Sequence, residues 1–144
     1  MKNVPYFFFA AILLCLLSCN TNNRETSVSS PSGNNSIQFY LSSDGTPNYT
    51  VAHNNNMVID TSSMGFDFKD HHPLRGGLQL IKTTLNTQDE TWEMPWGEQR
   101  RVRNHYNGLL VELEEIEAPN RKLNIHFKAY DDGCLLYTSD AADD

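Results

Sequence analysis

The chain has 144 residues, with 11 Lys and Arg against 18 Asp and Glu, for a formal net charge of −7. That balance excludes a nucleic-acid partner, which needs a basic face to neutralise phosphates. The cysteines, Cys15, Cys19 and Cys134, all lie towards the ends of the chain; this excludes a disulfide framework and leaves core packing to hold the fold.

Lys2 supplies a positive charge, and residues 7–17 form a continuous apolar run. A membrane-spanning helix needs about 20 such residues, so the run reads as a secretory signal. It closes on Leu16-Leu17-Ser18-Cys19, which resembles the bacterial lipobox, where a Cys is acylated and becomes the new N-terminus. Cys19 is the expected lipidation site; a plain signal peptide with an incidental Cys is the alternative. Asn20 stands where Asp is the usual inner-membrane retention signal, so the resemblance implies an exported lipoprotein of the outer membrane, facing the periplasm. Residues 19–35 are rich in Asn, Ser and Thr and read as a flexible tether.

From residue 36 the pattern is β. Ile37, Phe39 and Leu41 alternate with polar neighbours, the period of a half-buried strand. Asp44-Gly45 marks a turn, Pro47 opens a strand in which Tyr49 and Val51 share a face, and Asn54-Asn55-Asn56 reads as a hairpin turn. Met57-Val58-Ile59 returns, and Phe66 and Phe68 alternate after Gly65. Leu78-Gln79-Leu80-Ile81 and residues 101–106 are further strand candidates. Leu109, Val111 and Leu113 alternate with Leu110, Glu112 and Glu114; Leu123, Ile125, Phe127 and Ala129 do so after the Pro119-Asn120 turn. The fold expected is an all-β sandwich over residues 36–133.

Between these strands, Asp89-Glu90-Thr91-Trp92-Glu93-Met94-Pro95-Trp96-Gly97-Glu98 reads as a turn-rich window, followed by Arg103-Asn104-His105-Tyr106-Asn107. Trp92 and Trp96 offer faces that stack on a sugar ring or fill a domain interface. Glu98 and Arg103 are expected to pair across the loop. Asn104, His105 and Tyr106 add hydrogen-bonding groups, either for a sugar hydroxyl or for structure. Glu90, Glu93 and Glu98 in one loop need no catalytic explanation. Arg100, Arg101 and Arg103 read as a solvated strand face among acids. His71-His72 beside Asp67 and Asp70 lacks the ligand spacing of a calcium loop, and adjacent His point apart, so no metal site is expected there.

After Asp131-Asp132-Gly133, residues 134–144 break the strand pattern and resemble translated sequencing-adaptor read-through. They are expected to be non-native, with a short acidic natural tail as the alternative.

Several segments in order resemble one family, the N-terminal domain of glycoside hydrolase family 97. They are Gly45-x-Pro47-x-Tyr49-x-Val51, Ser62-Ser63-Met64-Gly65-Phe66, Asp89-Glu90-Thr91-Trp92, Trp96-Gly97-Glu98, Arg103-Asn104-His105-Tyr106-Asn107, Arg121-Lys122-Leu123 and Phe127-Lys128-Ala129-Tyr130-Asp131-Asp132-Gly133. Met64 stands where Leu is usual and Ala129 where Val is common. The resemblance implies a β-supersandwich, here partial, followed in complete members by a catalytic (β/α)8 barrel and a small β domain. It implies a parent enzyme that is an exo-acting α-glucosidase or α-galactosidase on oligosaccharides, with calcium at its site. The catalytic carboxylates and most calcium ligands belong to the barrel. The chain is therefore expected to be an inactive fragment missing the barrel, with no catalytic or metal residue of its own. Its membrane contact would be the lipid at Cys19. A stand-alone carbohydrate-binding β-sandwich lipoprotein is the alternative.

Overall fold

The computed structural model of the protein describes residues 26–97 and 100–139. Its strands are β1 (Thr26–Ser29), β2 (Asn35–Leu41), β3 (Pro47–His53), β4 (Asn56–Ser63), β5 (Leu78–Glu93), β6 (Arg101–Glu115), β7 (Lys122–Tyr130) and β8 (Gly133–Ser139). They form two four-stranded antiparallel sheets, β1-β2-β3-β4 and β5-β6-β7-β8, each strand pairing with its neighbour in sequence. The expected all-β sandwich is thus two meanders laid face to face.

The alternation that defines the strands also makes the core. Ile37, Phe39 and Val51 from the first sheet meet Leu109, Val111, Ile125 and Phe127 from the second, all buried. Phe127 sits between Phe39 and Tyr49, with ring centroids 5.9 Å and 6.3 Å away. Each such aliphatic or aromatic side chain contributes about 1.5–3 kcal/mol on burial, enough to hold the sheets together without a disulfide.

The turns follow local chemistry. Asn54 and Asn55 take φ of 48° and 62° in the β3–β4 hairpin, a conformation that Asn tolerates and that matches the strand twist. Asp44 closes the β2–β3 turn, its carboxylate accepting from Ser42 Oγ at 2.6 Å, from Thr46 Oγ1 at 3.0 Å and from the Thr46 N–H at 3.2 Å. Gly45, at φ 76°, is required twice over: a Cβ there would lie 2.5 Å from the Leu78 nitrogen and 2.6 Å from its oxygen.

Four expectations from sequence need correction. The segment read as tether contains β1: Val28 pairs with Ile37 and enters the core at 4% exposure. One apolar residue among Ser and Thr is too faint a period to detect, but it suffices where a sheet edge awaits it. At the other end, residues 133–139 continue the ladder along β7 rather than breaking it; Tyr and Thr, both present there, favour a pleated surface. Residues 140–144 lie outside the described residues, as do residues 1–25 with Cys19.

The two strand candidates at residues 101–106 and 109–113 are one strand. Asn107 and Gly108 pair on both sides, with Thr87 and Asn86 on β5 and with Ala129 and Lys128 on β7, so the ladder runs through them without a break. Finally, Phe66 and Phe68 do not begin a strand. Phe66 makes a single bridge to Leu74, and the rest is a loop clamped by Arg121, which donates to the carbonyls of His72 and Pro73 and lies over the Phe68 ring.

A two-faced ribbon as candidate functional site

β5 has 16 residues and β6 has 15, but β7 has only 9 and pairs with β6 between Tyr106 and Glu114. The outer ends of β5 and β6, residues 89–93 and 101–105, therefore form a two-stranded ribbon with no third strand. At about 3.4 Å per residue it overhangs the sheet by roughly 15 Å. Half of the window read as turn-rich, Asp89 to Glu93, is this ribbon; residues 94–97 leave the ladder, and Met94 N–H closes on the Arg100 carbonyl at 2.9 Å.

The register is regular along the ribbon, so side chains sort strictly by parity. One face continues the inner face of the sheet. It holds Asp89, opposite His105, and Arg103, opposite Thr91. Asp89 takes both Nε and Nη2 of Arg103, each at 2.8 Å. The hydrogen bonds from Arg103 hold the Asp89 carboxyl below the usual range, with a smaller contribution from His105. Asp131 accepts from the Ser32 N–H at 2.8 Å, which keeps its carboxyl low, and His105 assists there too. Further down this face, Asn107 accepts from Thr87 Oγ1 and donates to the Ser29 carbonyl of β1, both near 2.9 Å.

The opposite face is of different chemistry. Trp92 stands opposite Val102, Glu90 opposite Asn104, and Gln88 opposite Tyr106, which in turn faces Tyr130 on β7. Tyr130 Oη donates to Asn104 Oδ1 at 2.9 Å, and Asn104 Nδ2 donates to Glu90 Oε1 at 2.8 Å. The Tyr106 and Tyr130 rings are 5.2 Å apart, and Lys128 Nζ lies 4.9 Å from the Tyr106 centroid. Trp92 is 45% exposed, Met94 44%, and Trp96, at the tip, 85%.

The candidate residues named from sequence are thus divided. Trp92, Asn104 and Tyr106 share the outer face, Arg103 and His105 the inner face, and Trp96 projects from the tip. Glu98 lies outside the described residues; Arg103 has Asp89 as its partner. Glu93 instead faces Arg100 and Arg101 at 3.6 Å each, which makes the arginine cluster an ion-paired strand end. Sequence reasoning missed Tyr130, Glu90 and Lys128 as members of the outer face. The signal was available in the two-residue period, which puts Tyr130 and Lys128 on one side of β7, but it required the β6–β7 register. His71 and His72 are exposed in the clamped loop, and among the described residues no group of three or more His, Cys, Asp or Glu is gathered to hold a metal ion. A shallow cleft of about 420 Å³ between β1 and β5 is lined by Ser27, Ser29, Leu85, Asn86 and Thr87 without any aromatic ring.

Two four-stranded antiparallel sheets with an overhanging aromatic ribbon define an all-β sandwich domain. The family model described as Glycosyl-hydrolase 97 N-terminal matches residues 28–136, and the chain belongs to that family. It is similar to a retaining alpha-galactosidase of Bacteroides thetaiotaomicron, 25% identical over 126 residues, covering 88% of this chain and 18% of the relative. It is also similar to the solved structures of a glycoside hydrolase family 97 enzyme from Pseudoalteromonas sp. strain K8 in complex with panose and with acarbose. For each the TM-score is 0.68 and the identity 30%, over 74% of this chain and 16% of the enzyme. The chain spans less than a fifth of the length of these relatives.

Proposed function

We propose that the chain is the N-terminal part of a lipid-anchored family 97 α-glycosidase that acts on terminal α-linked sugars of oligosaccharides. The observation that carries this reading is the family match over residues 28–136 in a chain spanning 16% to 18% of its relatives. Glycoside hydrolysis needs one carboxylic acid to protonate the leaving oxygen and a second carboxylate to activate water or attack the sugar. The described acids of the ribbon are engaged otherwise: Asp89 with Arg103, Glu90 with Asn104, Glu93 with Arg100 and Arg101. In this reading the reacting carboxylates belong to a following barrel. In this reading most of the calcium ligands belong to that barrel as well. The module braces the barrel and shapes the mouth of its active site, with Trp96 and Met94 at the ribbon tip as the contact. Large, exposed side chains such as Trp are among the groups that dominate interface energetics. The parent is carried to the periplasmic face of the outer membrane by the signal and by lipid on Cys19.

The test begins with the gene: a long-read sequence through the codons after Gly133, then expression of the whole frame. The parent is expected to turn over an aryl α-glucoside or α-galactoside and to lose that activity when calcium is chelated. The chain alone is expected to show none; turnover by the 144-residue chain would overturn the reading. A palmitate analogue should label the protein and fail to label Cys19→Ser.

A further inference from the structure

β1, β4, β5 and β8 are the outermost strands of the two sheets, and β5 differs from the others. β1 has 4 residues, β8 has 7, and β4 shifts register against β3 twice. Short edges and bulges are devices by which sheets avoid pairing with another chain. β5 has 16 residues and one irregularity, next to Leu80; from Lys82 to Glu93 its register with β6 is unbroken. We propose that this edge pairs antiparallel with the β5 edge of a second copy of the chain. The two-fold axis passes through Asn86 and joins the two β5-to-β8 sheets into one continuous sheet.

Charge sets the register. A two-fold axis perpendicular to a sheet brings like faces together, so residues paired across it differ by an even number. Lys82 is the one basic residue of β5, and its acids are Asp89, Glu90 and Glu93. Only Glu90 shares the face of Lys82. Asp89 and Glu93 lie on the other face, where Arg103 holds the first and Arg100 and Arg101 flank the second. One register alone therefore puts the cation of each copy opposite an acid of the other. With Asn86 on the axis, Lys82 faces the partner's Glu90, Glu90 faces the partner's Lys82, and Thr84 meets the partner's Gln88. Opposite charges directly across a ladder stabilise it, and like charges oppose it. Within its own copy Lys82 reaches Glu112 only at 3.9 Å, with its side chain 66% exposed.

The other face carries the second argument. The first sheet begins at β1, which packs on β6, and leaves Leu85 of β5 63% exposed. In the charge-selected register Leu85 stands opposite the partner's Thr87 and diagonal to the partner's Leu85. Diagonal neighbours in a ladder are within reach of long side chains. Two leucines that the sandwich itself leaves uncovered thus meet across the axis. The backbone N–H and C=O groups of the edge supply the remaining affinity, as in any strand added to a sheet. The assembly does not depend on the activity proposed above.

The test is light scattering and sedimentation equilibrium on the full chain over a range of concentrations. Reversible exchange between monomer and dimer is expected, with Kd on the order of 10–100 μM, as suits a small interface. Lys82→Glu sets like charges across both symmetric pairs and should weaken the dimer about tenfold or more. Glu90→Lys should do the same. Combining Lys82→Glu with Glu90→Lys should restore the affinity, because the signs are merely exchanged; a misfolded variant would not recover. Val58→Ser, on the β4 edge, should leave the dimer unchanged. A chain that stays monomeric up to about 1 mM would overturn the proposal. So would a dimer indifferent to Lys82→Glu, or one lost in Val58→Ser. Protection of the β5 amides from hydrogen exchange in a monomeric parent would overturn it too, since the same chain would then cover the edge.

Discussion

The side-chain amide of Asn35, at the start of β2, donates to the backbone carbonyl of Tyr130, at the end of β7, at 2.7 Å. The same nitrogen reaches the Asp131 carbonyl at 3.0 Å, and Asn35 Oδ1 meets His53 Nδ1 at 2.6 Å. One buried side chain therefore ties three turns and both sheets together. Asn35→Ala should cost about 2–4 kcal/mol, because it leaves buried carbonyls without their donor. Asn35→Asp should cost no less, since it faces those carbonyls with a carboxylate. Chemical denaturation of the chain and both variants measures this.

Arg121 grips Glu115 across the β6–β7 turn, Nε to Oε2 at 2.8 Å and Nη2 to Oε1 at 2.6 Å, with side-chain exposures of 17% and 14%. The same guanidinium clamps the loop before β5. Removing one partner leaves a charge in a poorly solvated place. Glu115→Gln should therefore destabilise by about 2–3 kcal/mol. Arg121→Lys should also loosen residues 66–74, because an ammonium cannot reproduce the planar fork. Hydrogen exchange across that loop reads the second effect separately from the first.

Gly45 and Gly108 should respond differently to the same substitution. At Gly45 a Cβ meets backbone atoms of Leu78, and φ is already 76°, so Gly45→Ala should cost about 3 kcal/mol or more and shift the start of β5. At Gly108 the clash is with the Asn86 side chain, which can rotate away; a cost of about 1 kcal/mol is expected. Thermal melts of the two variants side by side give the comparison.

Acid should unfold the module in a defined window. Glu115, Asp131, Asp44 and Asp89 are all held low, chiefly by Arg121, the Ser32 N–H, the Ser42 hydroxyl and Arg103 respectively. A depressed carboxylate contributes stability that is fully present above its unfolded value and is lost as pH falls through its folded value. The melting temperature should be level from neutrality to about pH 5 and fall below it, passing the ordinary values of 4.5 for Glu and 3.8 for Asp. Glu115→Gln should flatten that fall, while Asp89→Asn, at an exposed pair, should change it little.

The core was legible because burial writes a two-residue period: Ile37, Phe39, Leu109, Val111, Ile125 and Phe127 were identifiable from alternation, as were the Asn54-Asn55 and Pro119-Asn120 turns. The ribbon was less so. Charged and amide residues populate both of its faces, so no apolar period marks Asp89 to Glu93 as strand, and acid, Trp and Pro together mimic a loop. Partner choice was hidden for the same reason. Arg103 had Glu98 nearer in sequence, but the ladder puts Asp89 on its face. Tyr130 joined the candidate site only through pairing of β7 with β6, a relation between segments far apart in the chain. β1 was missed because a single Val carries its burial.

The overhanging ribbon makes parity an address. Nothing beyond the two-residue alternation keeps Trp92 on the side of Tyr106 and Arg103 on the side of His105. A single residue inserted between Leu85 and Asp89 would rotate the remainder of β5 by half a turn, presenting Thr91 where Trp92 stood and turning the Asp89 carboxylate away from Arg103. Such a chain would have nearly the same composition, the same core and the same topology, and a different surface. For relatives of this module, the count of residues between the end of the core and the tip is therefore a better guide to what the ribbon contacts than the identity of any one aromatic on it.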